Sequence, residues 1–408
     1  MTYQEAKALL ESKGQEQLLK YYDTLDDAAQ KDLLRQIENL DWSLFDALAH
    51  KGQTSARGHL EPLSAMEVSE IAAKEDYFRA IGLEAIRQGK IGAVLLAGGQ
   101  GTRLGLDKPK GMLNVGITKT MYLFEILIGN LKRVTDAAGA YVPLYIMTSE
   151  KNNDDTTAFF AEHNYFGYPA DQVKFFVQEM APSVDFNGKI LLEEPGRISL
   201  SPNGNGGWFS SIHKAGLLPE MHERGVEWLN VFAVDNVLQN IADPVAIGAT
   251  LDGGYTSSGK VVRKADPDER VGVLCLEDGK PSIVEYYEMT DEIRNTRLEN
   301  GELAYNFGVI LNYLFRLDCL ENILANNMPI HVVDKKIPYL DENGQLVKPE
   351  TPNGCKFETL VVDMVHMMDD CLPTEVIRNK EFAPIKNLHG VDSLDSAREL
   401  MRENNIEL

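Results

Sequence analysis

The run AVLLAGGQGTRLGLDKPKGML, Ala93 to Leu113, finishes a stretch of aliphatic residues and then sets four glycines (Gly98, Gly99, Gly101 and Gly105) within eight positions, with Arg103, Lys108 and Lys110 among and behind them. A glycine-rich turn leaving a buried strand brings backbone N–H groups up to an anion, and cations beside it fit an anion of high charge. The chemistry so indicated is phosphate handling. Neither standard nucleotide fingerprint accounts for it: G-x-G-x-x-G needs glycine at position 104, where Leu104 stands, and no glycine is followed at Walker spacing by G-K-[ST]. What remains is a strand-to-loop junction at which Gly98, Gly99 and Gly101 pass close to a nucleotide while Arg103 and Lys110 reach its phosphates. The plain alternative is a tight turn with solvated cations, and Lys108 is read that way, as decoration of the loop.

Other residues have chemical uses beside ordinary ones. Asp235 ends the aliphatic run EWLNVFAVD, where a carboxylate needs a ligand, a metal or a helix end to cap. SPNGNGGWFSS, with Asn203, Gly204 and Asn205, is either a surface turn or a place where backbone meets a base or sugar. Glu285 and Asn306 read by themselves as a strand residue and a turn or cap, and Lys386 as an exposed lysine.

These residues need elements to hold them. The first ninety residues read as an α-helical extension (1–90), with Thr2 and Glu5 as a capping box, Gly14 as a stop, and apolar residues at helical spacing through DDAAQKDLLRQIENLDWSLFDALA. From Ile91 short aliphatic runs (IGAVLLA, VPLYIMTS, VKFFVQ, EWLNVFAVD) alternate with helical segments such as Met121 to Ala138. That pattern predicts a doubly wound, mostly parallel α/β sheet, spanning 91–370. Ligands in such sheets lie beyond the carboxyl ends of the strands, where the glycine loop and Asp235 both fall. After Asp235 a β-rich insert follows, with a hairpin turn at Glu277 to Lys280. A short C-terminal segment (371–408) closes the chain and carries Lys386.

Size and composition narrow the options. The 408 residues are 44% hydrophobic and 25% charged, the balance of a globular protein with a main domain and additions. A formal charge of −22 argues against nucleic acid as a partner and marks the cations near Arg103 as a local exception. No apolar run is long enough for a membrane span and the N-terminus lacks a signal-peptide core, so a cytoplasmic protein without a membrane partner is expected. Cys275, Cys319, Cys355 and Cys371 form no C-x-x-C pair and are expected as buried free thiols.

Taken together, LLAGGQGTRLG and the following KPKGM resemble the signature of the UDP-sugar pyrophosphorylase family, in particular its UDP-N-acetylhexosamine branch. The likeness extends over nearly the whole chain, through FFVQEMAPSVDFNGKILLEE, SPNGNGGWFSSI, VDNVLQNIADP, VVRKADPDERVGVLC, IVEYYEM, HVVDKKIPYLDENGQLVKPETPNGCKFETLVVD and EFAPIKN. The resemblance implies a Rossmann-like nucleotide-diphospho-sugar transferase fold. It implies an enzyme joining UTP and a sugar 1-phosphate into a UDP-sugar with release of pyrophosphate, and a Mg²⁺ ion. Carried over residue by residue, it gives Arg103, Lys110 and Lys386 to the phosphates and the transition-state charge. It gives Ala97, Gly98, Gly99, Gln178 and Gly204 to the nucleotide, Asn205, Glu285 and Asn306 to the sugar, and Asp235 to the metal. One departure stands out: the branch has a small residue after the asparagine, as in N-A-G, where this chain has Phe307.

The chemistry of that class agrees with the residues. A sugar 1-phosphate is already an ionised oxygen nucleophile near neutral pH, so attack on the α-phosphorus of UTP needs no general base. The difficulty is bringing two polyanions together, and one cation at about 4 Å from one anionic charge supplies roughly 4 kcal/mol at an effective dielectric of about 20. Several cations are therefore required. The rival readings are a UDP-glucose or UDP-galactose pyrophosphorylase, whose branch carries G-H-G-D where GNGG stands at Gly204 to Gly207, and a non-catalytic UDP-sugar-binding protein lacking the cations or Asp235.

Overall fold

The computed structural model describes residues 1–51, 57–326 and 328–408. They gather into two compact units, the first drawn from Met1–Ala56, Glu179–Gly207 and Met328–Val361, the second from Arg57–Gln178, Trp208–Asn327 and Val362–Leu408.

In the first unit, helices Tyr3–Lys13 and Asp27–Glu38 pack on short strands that come from far along the chain. The capping box is present, with Thr2 Oγ1 accepting from Glu5 N–H and Glu5 accepting from Thr2 N–H, and Gly14 ends the helix in the left-handed conformation. Ala6, Leu10, Leu33 and Ile37 meet Val184, Ile190, Ile198 and Phe357 in one buried cluster. Gln15 ties the pieces together: its side-chain amide donates to Gly188 O (2.8 Å) and accepts from Ile190 N–H (2.9 Å), partners some 173 residues away. A three-stranded sheet of His331–Lys335, Gly354–Glu358 and Val184–Asp185 completes the unit, beside the pair Met180–Pro182 and Leu200–Pro202. The predicted helical extension is therefore shared: its first fifty residues build this unit, whereas residues 57–90 build the other.

The second unit is organised by a ten-stranded sheet. Its strands are β1 (Leu60–Pro62), β2 (Ile91–Leu96), β3 (Leu144–Thr148), β4 (Val173–Val177), β5 (Trp228–Ala233), β6 (Ser257–Arg263), β7 (Val273–Glu277), β8 (Lys280–Val284), β9 (Phe307–Arg316) and β10 (Leu372–Glu375). One half, in the order β5-β2-β3-β4, is parallel throughout. Its strands are the aliphatic runs of the sequence, and β2 and β3 are buried at every position, as expected of strands covered on both faces. The other half is mixed: β9 runs antiparallel to β5 and β6, β10 is parallel to β6, and the β7–β8 hairpin joins the same sheet. That hairpin turns at the predicted place, with Asp278 and Gly279 both at positive φ, the pair a two-residue type I′ turn demands.

Helices α1 (Glu75–Arg87), α2 (Leu123–Ala138), α3 (Asn153–Glu162), α4 (Pro244–Gly253) and α5 (Leu394–Glu403) flank the sheet. Helix α2 turns Phe124, Leu127, Ile128 and Leu131 into a core shared with Leu95, Ile146, Phe232 and, from the C-terminal helix, Ala397 and Met401. The functional consequence lies in the register of the parallel half. Leu96 pairs with Ala233 and Met147, and Thr148 pairs with Val177, so the four strands stop at one edge and deliver their following loops there. No helix among the described residues is long and apolar enough to cross a membrane.

Candidate active site

The loop after β2 is a framed structure. Ala97 N–H donates to Met147 O (2.9 Å), Gly101 N–H to Lys108 O (3.0 Å) and Lys110 N–H to Gly99 O (3.2 Å), so the loop folds back on itself. Asn152, wholly buried, donates from Nδ2 to Ala97 O (3.0 Å) and accepts at Oδ1 from Ser149 N–H (2.7 Å). At Gly98 a Cβ would stand 2.9 Å from Gln178 Oε1, so any larger residue has to push that amide aside. Gly99 has open space around its missing side chain. Gln178 follows β4 directly; it is buried and its N–H donates to Thr148 O (2.8 Å), which sets its amide beside Gly98.

Of the three cations of the loop, Arg103 is exposed and, among the described residues, has no ion-pair partner. Lys108 pairs with Asp155 at the start of α3 (2.9 Å), which fits its reading as a residue outside the site. Lys110 is mostly buried and points at Asp235, with Nζ 3.4 Å from Oδ2. Two residues 125 positions apart, one expected on phosphate and one on metal, thus meet.

The turn after β5 also explains how Lys386 arrives. Ile385 N–H donates to Asp235 O (2.9 Å), Ala383 N–H to Asn236 Oδ1 (2.9 Å), and Asn236 Nδ2 to Glu381 O (2.7 Å). The segment 381–386 is laced to the turn that carries Asp235, which brings the Lys386 backbone beside it. The Lys386 ammonium is half-exposed and pairs with Asp392 (3.0 Å).

Glu285 lies just beyond β8, its N–H donating to Glu288 Oε2 (3.0 Å). Burial, then the neighbouring Glu288 carboxylate, push its carboxyl above the ordinary glutamate range; Arg57 and Lys386 pull the other way, and the charge of Lys386 reaches it. Arg57 grips this region from below, bridging Glu277 (2.9 Å) and Glu288 (2.6 Å). Asn306, also buried, accepts from Lys264 N–H at Oδ1 (3.2 Å). Phe307 begins β9 and its ring lies under the Arg263 guanidinium, 5.3 Å away. Asn306 precedes the strand, and both it and Phe307 are buried.

Gly204 and Asn205 belong to the first unit. Gly204 has φ +90° and a Cβ on it would lie 2.2 Å from Thr359 O, so no other residue fits. The loop is laced to the 359–361 segment: Thr359 N–H donates to Asn203 O (2.7 Å) and Gly206 N–H to Thr359 O (2.9 Å). Asn205 Oδ1 accepts from Val361 N–H (3.0 Å), at the start of helix Val361–His366.

Residues 47–407 match the UDPGP family, described as UTP–glucose-1-phosphate uridylyltransferase. The chain belongs to that family. Among curated relatives, it is 36% identical over 413 residues to the UDP-N-acetylglucosamine pyrophosphorylase of Saccharomyces cerevisiae, covering 95% of this chain and 86% of that one. It is 37% identical over 418 residues to UDP-N-acetylhexosamine pyrophosphorylase-like protein 1 of Homo sapiens, covering 97% and 82%. Among solved structures, the UDP-N-acetylglucosamine pyrophosphorylase of Trypanosoma brucei, determined with an inhibitor, superposes with a TM-score of 0.84 at 29% identity over 96% of this chain and 82% of that one. UDP-glucose pyrophosphorylase of Leishmania major, at a TM-score of 0.66 and 18% identity over 89% of this chain and 77% of that one, shares the fold. The family's fold is the α/β sheet with helical N-terminus expected above.

Several residues that frame the candidate site, or the segments leading to it, carried no signal by themselves. Asn152 looked like any residue ahead of a helix, and Asn236, Lys260 and Glu381 act through contacts between distant segments. Of the four thiols, Cys275, Cys355 and Cys371 are buried as expected, and Cys319 is only partly so; all are free.

Proposed function

We propose that this chain is a uridylyltransferase that joins UTP to an N-acetylhexosamine 1-phosphate, giving UDP-N-acetylhexosamine and pyrophosphate. The observation that carries the reading is the approach of Lys110 to Asp235 at the edge of the parallel strands, with the Lys386 segment hydrogen-bonded to the same turn. The names borne by relatives at 36–37% identity over most of the chain support the acetamido sugar.

In this reading the α-, β- and γ-phosphates lie along the glycine loop, with Arg103 and Lys110 against them. Gln178, beside Gly98, offers its amide to the uracil edge, and Gly204 contributes backbone on the uridine side. The sugar phosphate attacks the α-phosphorus in line with the departing pyrophosphate. No proton has to move, so the protein's work is holding two anions in line and balancing the charge that builds on the leaving group. Lys386 meets the phosphate that becomes the bridge to the sugar, exchanging Asp392 for it. Glu285 and Asn306 take the sugar hydroxyls and acetamido group, with Asn205.

The residues fit a Mg²⁺ ion. This ion is commonly held by one or two carboxylates with substrate phosphates and water filling the octahedron. Asp235 is such a carboxylate, partly exposed at a strand end, and no group of three or more His, Cys, Asp or Glu among the described residues offers a rival site. When bound, the ion supplies charge neutralisation on phosphate oxygens. A reduced compartment such as the cytoplasm suits four free thiols.

Glucose 1-phosphate is the alternative substrate. The GNGG sequence at Gly204 to Gly207 favours the N-acetyl sugar, whereas Phe307, stacked under Arg263, is the departure from the branch that bears on the choice. Pyrophosphate release from UTP, Mg²⁺ and each of glucose, galactose, N-acetylglucosamine and N-acetylgalactosamine 1-phosphate tests the reading. Turnover with an N-acetylhexosamine phosphate is expected. Turnover with glucose 1-phosphate alone defeats the acetamido assignment, and none with any sugar leaves a UDP-sugar-binding protein.

A further inference from the structure

The second unit contains a lysine that the site does not use. Lys260 stands in the middle of β6, 4% exposed, and its ammonium lies 2.7 Å from Asp243 Oδ2 and 2.6 Å from Glu381 Oε2, with Asn240 O at 3.4 Å. A cation buried between two carboxylates, one of which also feels the charge of Arg79, is a costly arrangement if packing were its only purpose, since apolar residues of similar volume would serve as well or better. Each arm leads to a specific place. Asp243 caps helix α4, accepting from Val245 N–H (3.0 Å). Glu381 accepts from Asn240 N–H at its carboxylate (3.3 Å) and from Asn236 Nδ2 at its carbonyl (2.7 Å), and it opens the segment that ends at Lys386.

We propose that Lys260 is a positioning residue for phosphate transfer: by clamping Glu381 to Asp243 it fixes the segment that carries Lys386 against the turn that carries Asp235. The inference rests on the proposed roles of Asp235 and Lys386. Neither Lys260 nor Glu381 touches a residue assigned to substrate by side chain; both act through backbone. With the clamp in place, Ala383 and Ile385 keep their hydrogen bonds to Asn236 and Asp235, and the Lys386 ammonium starts from a fixed point. Without it, the segment is tied to that turn only through main-chain groups and the Asn236 side chain, at Glu381 O, Ala383 and Ile385, and the cation wanders relative to the metal carboxylate. The Asp243–Lys260–Glu381 group also lines a cavity of about 460 Å³ bordered by Ile71, Arg79 and Arg133, which contains none of the residues assigned to substrate. Room to relax is thus available on that side.

The test uses the full chain with Lys260→Met, and a neutral control, Asp243→Asn/Lys260→Met/Glu381→Gln, which buries no charge. Hydrogen exchange of the Ala383 and Ile385 amides should quicken roughly tenfold in both, while the glycine-loop amides of Gly101 and Lys110 stay as they were. Turnover should fall roughly tenfold to a hundredfold with KM for UTP held within about threefold, the pattern of a misplaced group rather than a lost nucleotide site. The control should regain thermal stability without regaining turnover. Should Lys260→Met be too unstable to purify, the control serves for both measurements. Unchanged exchange at Ala383 and Ile385, turnover that recovers together with stability, or a KM for UTP that rises as turnover falls overturns the clamp. If the wild type releases no pyrophosphate, or Asp235→Asn and Lys386→Ala keep full activity, the functional reading fails instead; the exchange measurement needs no activity and still judges whether Lys260 holds the segment.

Discussion

Two lysine–carboxylate groups lie at the two ends of one turn, and they are built for opposite purposes. Lys110 and Asp235 are 3.4 Å apart and partly exposed, and among the described residues neither has a second ion-pair partner. Lys260 is buried between Asp243 and Glu381 at 2.7 and 2.6 Å. A long, single contact that solvent still reaches exchanges its partner more easily than a short, doubly paired one. A buried group cannot, because releasing one member strands a charge in a medium that solvates it poorly. Burial raises the intrinsic cost for both Lys260 and Asp243, yet their mutual attraction outweighs it: the lysine is held above its ordinary pKa and the aspartate below. The site keeps the charges that must change hands in the first form, and the frame in the second.

That contrast is open to experiment. The largest effect is expected at the exchangeable pair: Lys110→Met or Asp235→Asn should lower kcat by roughly a hundredfold to a thousandfold, comparable to losing a main transition-state contact. Their thermal stability, read by calorimetry, should move by no more than about 1 kcal/mol. The second variant set inverts the pattern. Lys260→Met should cost roughly 3–5 kcal/mol in denaturant unfolding, because two buried carboxylates lose their cation. If the two pairs lose activity and stability in the same proportion, the distinction drawn here is void.

Gly98→Ala comes next. The added Cβ must displace the Gln178 amide, so KM for UTP should rise roughly tenfold, about 1.4 kcal/mol, with kcat moving less. A variant with unchanged KM would detach Gln178 from the base. A pH effect follows from Glu285, whose carboxyl is raised by burial and by Glu288. Binding that needs its carboxylate should weaken, as pH falls, before an ordinary glutamate protonates; KM for the sugar phosphate rises there while KM for UTP does not. Glu285→Gln should abolish that difference. The smallest effect concerns Asp243. Its depressed pKa means the stability it contributes is fully present above the unfolded-state aspartate pKa near 4 and is lost as pH falls through the lower folded value, so acid unfolding of Asp243→Asn should be shallower than wild type.

The parallel half of the sheet was legible because its strands are buried on both faces and so appear as uninterrupted aliphatic runs; the loops at their ends then followed. Gly98, Lys110 and Asp235 were within reach for that reason, whereas Gln178 came through the family resemblance. The Glu277 to Lys280 hairpin was readable from its Asp-Gly turn. Residues 57–90 were harder: the turn-rich stretch hides β1, and nothing local tells that α1 packs with the sheet rather than with the earlier helices. Lys260 reads as one more lysine in GKVVRKA, since its meaning depends on two carboxylates 17 and 121 residues away. Lys386 gained its place through Asn236, a contact that only tertiary structure provides. Family resemblance supplied what local pattern lacked.

The first unit is sewn from three stretches whose contacts, like that of Gln15 with Gly188, close loops of well over a hundred residues. During synthesis its opening helices emerge with their apolar faces bare, and they stay so until the last of the three stretches has left the ribosome. At a rate of about 5–20 residues per second that interval runs to tens of seconds. The opening helices are therefore the segment where a chaperone has most time to act, and where expression of the N-terminal piece alone should yield an aggregate rather than a domain.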